Sequence, residues 1–230
     1  MLGLSDRRHF RRLVSGFCLT AAPIVLLAGA AIHPQIEKDG AAHLAVVREN
    51  PDLYFAAHAI LLVGLALFLP AVLGLMHLLK ERETRFGHVG GGLAMIGLFA
   101  ATAIVAVDGI AVSQMGQPGM GVEEMATVLD RIKESSGLRA IAIVGGVSLL
   151  FGILLLVYGI WRAVRPWTAA AMAVAAIFFF VGQVTDNRVI FVVAFVTYVF
   201  ALGPLGWRIL RESDEQWTGS APVQAQGSME

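Results

Sequence analysis

Charge is scarce in this chain of 230 residues, because only 15% of them are charged. A soluble domain typically has about 25% charged residues. Hydrophobic residues make up 57% of the chain, and the mean hydropathy is +0.73. The 17 basic and 17 acidic side chains cancel, so there is no basic excess. A nucleic-acid partner is therefore excluded, since it requires a basic face.

Cysteine and catalytic motifs are also scarce. Cys18 is the only cysteine, which excludes an internal disulfide and a cysteine-rich zinc site. The chain has no His-Glu-x-x-His motif and no phosphate-binding glycine loop. No local motif therefore names a reaction, and the question of whether the protein is an enzyme stays open.

Long apolar runs are abundant. A run of roughly 20 apolar residues spans a bilayer as a helix. Such runs predict an all-α integral membrane bundle of six transmembrane helices, with the lipid bilayer as its surroundings. The predicted helices cover residues 13–32, 53–79, 89–112, 138–161, 166–185 and 189–207. These helices form a predicted membrane domain of residues 13–211. A basic cytoplasmic segment (1–12) precedes this domain, and a disordered cytoplasmic tail (212–230) follows it.

Basic residues predict the orientation of these helices. With the N-terminus in the cytoplasm, eleven Lys and Arg residues fall on the inner side and six on the outer side. This asymmetry follows the positive-inside rule. Arg7, Arg8 and Phe10 loosely resemble a twin-arginine export signal, but the apolar run that follows is long for one. We therefore expect an uncleaved, multi-pass protein of a bacterial plasma (inner) membrane with both termini in the cytoplasm.

Two predicted outer loops have helical patterns. Residues 39–50 begin with Asp39, a good N-cap, and end before Pro51. Between the third and fourth spans, residues 122–134 predict a short amphipathic helix. Its apolar face consists of Val122, Met125, Ala126, Leu129 and Ile132. Such a helix either lies on the membrane surface or closes over a pocket mouth.

Polar side chains from several predicted spans fall at one depth, in the outer leaflet. Asp108 is the most informative of them, because a carboxylate within a span usually faces protein or a water-filled cavity. His33 ends the first span on the same side, and His58 lies about one turn inside the second. The neighbours of His58 on its own face are leucines, which predicts a position beside the cluster. A polar pocket is expected here, with His43, Gln183 and Asp186 as further members.

Several functions are compatible with this pocket. In one hypothesis, His33, His58 and Asp108 bind zinc or iron and act on a lipid-like substrate, as a hydrolase or an oxidoreductase. Glu37 and Asp39 are then candidate supporting groups, together with His43.

Other hypotheses need no metal-dependent reaction. The pocket would bind a lipid-like or small-molecule ligand, serve a small transporter, or be purely structural, with Asp108 paired to a histidine or to Arg139. A haem reading pairs His33 with His58 and His77 with His88. It is disfavoured because His58 and His77 lie about 28 Å apart along one helix at about 1.5 Å per residue. Oligomeric state is not predicted.

The topology is directly testable. We expect Glu230 to lie in the cytoplasm, because eleven basic residues flank the predicted helices on that side. A reporter enzyme that works only in the cytoplasm should therefore be active when it is fused after Glu230. A periplasmic reporter such as alkaline phosphatase at the same position should be inactive. Alkaline phosphatase activity after Glu230 would contradict six spans with both ends inside.

Overall fold

A computed structural model describes residues 7–35, 37–79 and 84–218. Within these ranges the chain is helical and has no strand. A π-helical turn, Asp108–Val112, joins α4 to α5. The helices are α1 (Arg7–Ile32), α2 (Gly40–Glu49), α3 (Pro51–His77), α4 (Thr84–Val107), α5 (Ser113–Met115), α6 (Val122–Glu134), α7 (Ser136–Ile160), α8 (Pro166–Thr185), α9 (Arg188–Arg211) and α10 (Asp214–Thr218).

Six helical segments in the described ranges are long and apolar enough to cross a membrane, as the sequence predicts. They are α1, α3, the continuous segment from α4 to α5, α7, α8 and α9. The third differs most from its predicted bounds, because it begins at Thr84 and continues past Val112 to Met115 through the π-helical turn. The first also begins earlier, so that residues 7–12 of the predicted basic segment are helical.

The six long helices form a ring in chain order. Each packs against the next, and α1 packs against α9 to close the ring. Neighbouring helices in the ring are antiparallel, joined by short connections except where α2 and α6 intervene. The ring therefore has two ends. The capped end is covered by α2 and α6, whereas the terminal end holds the start of α1 and the end of α9.

Small residues allow close packing between α4 and α7. A Cβ atom added to Gly90 would lie 2.5 Å from the backbone nitrogen of Leu156, and one added to Gly152 would lie 2.3 Å from that of Ala94. Real Cβ atoms do not approach backbone this closely, so the two helices depend on glycine at these positions. This is the small-residue packing typical of membrane helices.

The capped end has an apolar cluster of its own. Leu129 of α6 is buried against Val47 of α2, Tyr54 of α3 and Val112 of the π-helical turn. Helix α2 begins at Asp39, whose carboxylate accepts a hydrogen bond from the backbone nitrogen of Ala42 at 2.9 Å. Helices α2 and α6 thus pack on the end of the ring and on each other.

Only the centre of the predicted apolar face of α6 is buried. Ala126 and Leu129 are buried, whereas Val122 at the start of the helix is 48% exposed. Met125 and Ile132 are half-buried. The reason is that α6 meets the rest of the protein through its middle, where α2 crosses beneath it.

The terminal end includes α10, which lies within the predicted disordered tail. Trp217 of α10 is buried and stacks on the ring of His77, with ring centroids 4.3 Å apart. Asp214 accepts a hydrogen bond from Arg12 Nε at 2.7 Å. The tail prediction therefore differs from the structure at residues 214–218, because apolar stacking and an ion pair dock them. Residues 219–230 lie outside the described part of the chain.

The packing of α4 on α7 generates a testable expectation. Gly90→Ala should destabilise the protein by roughly 1–3 kcal/mol, because the new methyl group meets backbone atoms of α7 that cannot move aside. Gly92→Ala on the same helix is the matched control, since a Cβ atom there meets nothing within 4 Å. Thermal unfolding in detergent, followed by circular dichroism, compares the two. Equal melting temperatures would contradict the close packing.

Candidate functional site

The candidate site is built where the π-helical turn meets α3. Gly109 of this turn packs directly on His58, since a Cβ atom at Gly109 would lie 2.4 Å from the Cβ atom of His58. The turn begins at Asp108, so the carboxylate emerges beside α3. A π-helical turn widens the helix locally, and such turns are frequent at functional sites.

Asp108 is held by two side chains of α3. The Tyr54 hydroxyl donates to Asp108 Oδ2 at 2.8 Å, and His58 Nε2 lies 3.0 Å from the same oxygen. Tyr54 and His58 are four residues apart, so they lie on one face of the helix. Both are buried, at 1% and 3% exposure. The Asp108 side chain is 37% exposed, because it borders a cavity.

His33 extends the cluster at the end of α1. Its Nε2 atom lies 3.4 Å from His58 Nε2, and the two ring centroids are 4.7 Å apart. Its Nδ1 atom donates to the carbonyl of Pro34 at 2.7 Å. The ring of Tyr54 is also close to His33, with centroids 5.4 Å apart. Three polar side chains from three different helical segments therefore meet at one point.

The hydrogen bonds of the two imidazoles decide where protons lie. His58 Nδ1 donates to the carbonyl of Tyr54 at 2.9 Å, as His33 Nδ1 does to Pro34. A neutral imidazole has only one N–H group, so each Nε2 atom is left with a lone pair. These two atoms and the carboxylate of Asp108 would then all be acceptors. One additional proton must be shared among them.

His43 joins the cluster through Tyr54. Because the Tyr54 hydroxyl donates to Asp108, its oxygen accepts from His43 Nε2 at 3.1 Å. His43 Nδ1 then accepts from Lys133 Nζ at 3.3 Å. Lys133 belongs to α6 and also donates to the carbonyl of Glu37 at 2.9 Å. The cluster therefore reaches from the interior of the ring to the loop helices.

Burial keeps the two histidines outside the long helices neutral at pH 7. Burial, and then the nearby His58, lowers the pKa of His33 to about 4. Burial, and then the ammonium group of Lys133, also lowers the pKa of His43. Both effects disfavour the charged imidazolium.

Two features of this cluster differ from the sequence prediction. His58 was expected beside the cluster because leucines share its helical face, but it lies at the centre, between Asp108 and His33. The π-helical turn is the reason, since it brings Gly109 and Asp108 onto α3. Tyr54 was not predicted at all. Its spacing of four residues from His58 was the available signal.

Three further residues that were predicted to support or pair with the cluster do not do so through their charged side chains. The carboxylate of Asp39 caps α2, and Glu37 contributes its backbone carbonyl rather than its carboxylate. Arg139 does not pair with Asp108, whose only ion-pair partner among the described residues is His58.

A cavity of about 440 Å³ lies beside the cluster, inside the capped half of the ring. His33, His43, His58 and Asp108 border it on one side. Most of its remaining wall is apolar, with the larger side chains from Leu61, Leu65, Ile104, Phe179, Phe191 and Phe195. The cavity therefore offers one polar region and one hydrocarbon-like region.

Gln183 and Asp186 line the same cavity without joining the cluster. Gln183 Oε1 is buried and accepts no hydrogen bond from the described residues. Lys133, Arg139 and Arg188 also border the cavity at the capped end. Arg188 donates to the carbonyl of Ala31 and so connects α9 to the end of α1.

The metal and haem hypotheses have little geometric support. Across residues 7–35, 37–79 and 84–218, no group of three or more His, Cys, Asp or Glu is arranged to hold a metal ion. The Nε2 atoms of His33 and His58 contact each other, which leaves no room for a haem plane between them. His77 lies at the terminal end, where its ring stacks on Trp217. The side chains predicted as metal ligands, His33, His58 and Asp108, hydrogen-bond to one another in this structure.

Comparisons with known proteins add no further constraint on the function. No protein-family model, curated protein or solved structure matches this chain.

The lowered pKa of His33 predicts that stability depends on pH. The folded pKa is about 4 and the ordinary value is 6.5, so stability is fully present above pH 6.5 and is lost as the pH falls toward 4. Between these two pH values, His33 binds a proton in the unfolded chain but stays neutral in the folded protein. The loss attributable to His33 should approach about 3 kcal/mol.

Thermal unfolding in detergent between pH 7 and pH 4 measures this effect. His33→Gln should flatten the dependence, whereas His88→Gln, outside the cluster, should retain it. The same pH dependence in His33→Gln and in the unaltered protein would contradict a buried, neutral His33.

Proposed function

We propose that this chain is a multi-pass protein of a bacterial plasma membrane that binds a small amphipathic ligand in the cavity between its six long helices. Both termini then lie in the cytoplasm, and the capped end faces outward in agreement with the positive-inside rule. The cavity would occupy the outer leaflet.

Insertion in a membrane is supported by the outer surface of the ring. Large apolar side chains are exposed around it, among them Phe17 at 57%, Phe99 at 61% and Phe200 at 67%. In water, apolar exposure on this scale promotes association. A lipid environment removes that cost, since hydrocarbon chains are as apolar as these side chains.

The observation that carries the ligand-binding proposal is the cavity of about 440 Å³. Ligand pockets typically measure roughly 300–1,000 Å³ and have mostly apolar walls with a few polar groups. This cavity has both properties. A hydrocarbon chain fits against its leucine and phenylalanine side chains, and a polar head group fits against the histidines and Asp108.

The charges at the capped end favour an acidic head group. Lys133, Arg139 and Arg188 border the cavity there, against Asp186 as the acidic residue outside the cluster. Asp108 is already compensated by His58 at 3.0 Å. The remaining side chains therefore give this part of the cavity a positive balance, which attracts an anion. A fatty-acid-like amphiphile has the required chemistry.

A cavity-filling substitution tests the proposal. In purified protein, Ala142→Phe should weaken binding of the fluorescent fatty acid cis-parinaric acid by about 10-fold or more, the equivalent of roughly 1.4 kcal/mol. The reason is that Ala142 lines the cavity, so the added ring occupies the space for the hydrocarbon chain. Fluorescence titration gives the Kd.

Ile143→Phe is the matched control, because Ile143 is the next residue on α7 and is 59% exposed. It should bind like the unaltered protein. Two results would contradict an amphiphile site in this cavity. One is equal affinity in the unaltered protein and both variants, and the other is a lack of saturable binding in all three.

A further inference from the structure

One hydrogen-bonded chain runs from Lys133 at the capped end along the polar side of the cavity to His33. It starts at Lys133 of α6, whose ammonium group lies 3.3 Å from His43 Nδ1. His43 continues it to Tyr54 at 3.1 Å, and Tyr54 to Asp108 at 2.8 Å. No gap in this part of the chain exceeds hydrogen-bond distance.

The second half of the chain runs from Asp108 to His33 along the cavity wall. Asp108 Oδ2 lies 3.0 Å from His58 Nε2, which lies 3.4 Å from His33 Nε2. His33 ends the chain and borders the cavity. The connection therefore passes through α6, α2, α3, the π-helical turn and the end of α1. It combines segments that no local motif would group.

Each link can both accept and donate a proton. Imidazole does so through its two nitrogens, and a phenol or a carboxyl group does so through oxygen. His43 has an acceptor ready for its second proton, because the Glu37 carbonyl lies 3.2 Å from Nδ1.

We propose that His43, Tyr54 and Asp108 form a proton-transfer path that delivers a proton from the capped end to His33 at the cavity wall. This path is an activity in addition to ligand binding. It rests on the proposed function only for the final acceptor, the acidic head group of a bound ligand.

The transfer balances without any co-reactant other than water. The Lys133 ammonium group, or water in its place, gives a proton to His43 Nδ1, while His43 Nε2 gives its proton to the Tyr54 oxygen. Tyr54 passes its hydroxyl proton to Asp108. Lys133 regains its proton from water, so its charge is restored.

The proton then moves from Asp108 toward the cavity. His58 Nε2 passes the shared proton to His33 Nε2, and the Asp108 carboxyl group replaces it at His58. The cluster has gained one proton in total, which His33 now holds. Because the pKa of His33 is about 4, its protonated ring is a good proton donor to a bound ligand.

Three further charged groups border the cavity beside the path. They are Arg139 of α7, Asp186 at the end of α8 and Arg188 of α9. The groups that act on His33 lie within the path: His58 and His43 oppose a positive charge on it, whereas Asp108 favours that charge. The two arginines border the same cavity and attract an anionic head group to it.

A pH jump tests the path without any ligand, so a negative result is separable from failure of fatty-acid binding. Purified protein is taken rapidly from neutral pH to about 4, and the imidazolium band of His33 is followed by time-resolved infrared spectroscopy. His33→Gln identifies the band. Tyr54→Phe should slow the appearance of the band by roughly 100-fold, because proton transfer by a positioned side chain is lost.

Tyr198→Phe is the matched control. Tyr198 is also a buried tyrosine, at 5% exposure, but it packs on Phe68 in α3 away from the path. It should leave the rate unchanged. His43→Gln is the second variant, since its amide can still hydrogen-bond to Tyr54 but does not carry protons at pH 4. It should slow the rate as Tyr54→Phe does.

The outcomes are decisive because rates and folding are measured separately. A slow rate in Tyr54→Phe and His43→Gln, with melting temperatures that match Tyr198→Phe, supports the path. An unchanged rate in either variant overturns it, because protons would then reach His33 through water in the cavity. A slow rate in Tyr198→Phe as well would also overturn it, since the effect would be a general loss of structure.

Discussion

The need to pair Asp108 organises the capped half of the molecule. A carboxylate on an apolar helix is costly unless donors surround it. Tyr54 and His58 provide those donors from one face of α3, and Gly109 lets the π-helical turn approach closely enough to use them. Tyr54 also packs with Leu129 of α6. Pairing one carboxylate thus connects the ring to the helices that cap it.

The same arrangement explains why a cavity remains beside the cluster. Close helix packing and large apolar side chains such as Leu156 and Ile209 fill much of the ring toward the terminal end. In the capped half, the side chains of Tyr54, His58 and His33 contact Asp108 or one another at one side of the cavity. Ala30, Ala101 and Ala142 line the space that results. Asp108 and the histidines at its border are already paired, yet they remain within reach of a ligand.

Particular residues show how far sequence reasoning reaches. Six long apolar helices were predicted from hydropathy and are present, because the signal is carried by each segment alone. The grouping of His33 with Asp108 followed from their equal depth near the outer ends of the first and third spans, which run in the same direction. The central position of His58 did not, because it depends on a π-helical turn in another helix. Tyr54 was not predicted, because its only signal was the four-residue spacing from His58, and that spacing does not show which atoms the hydroxyl group contacts.

The sequence by itself determined the number of long helices, their alternating course and the shared depth of their polar residues, since local hydropathy and helical periodicity decide these properties. Only the tertiary structure decided which polar atoms touch. Contacts between Asp108, Tyr54 and the histidines depend on helix rotation, on the offset at the π-helical turn and on the closing of α1 against α9. Shifts of a few ångströms set these relations, and they arise from packing between segments far apart in the chain.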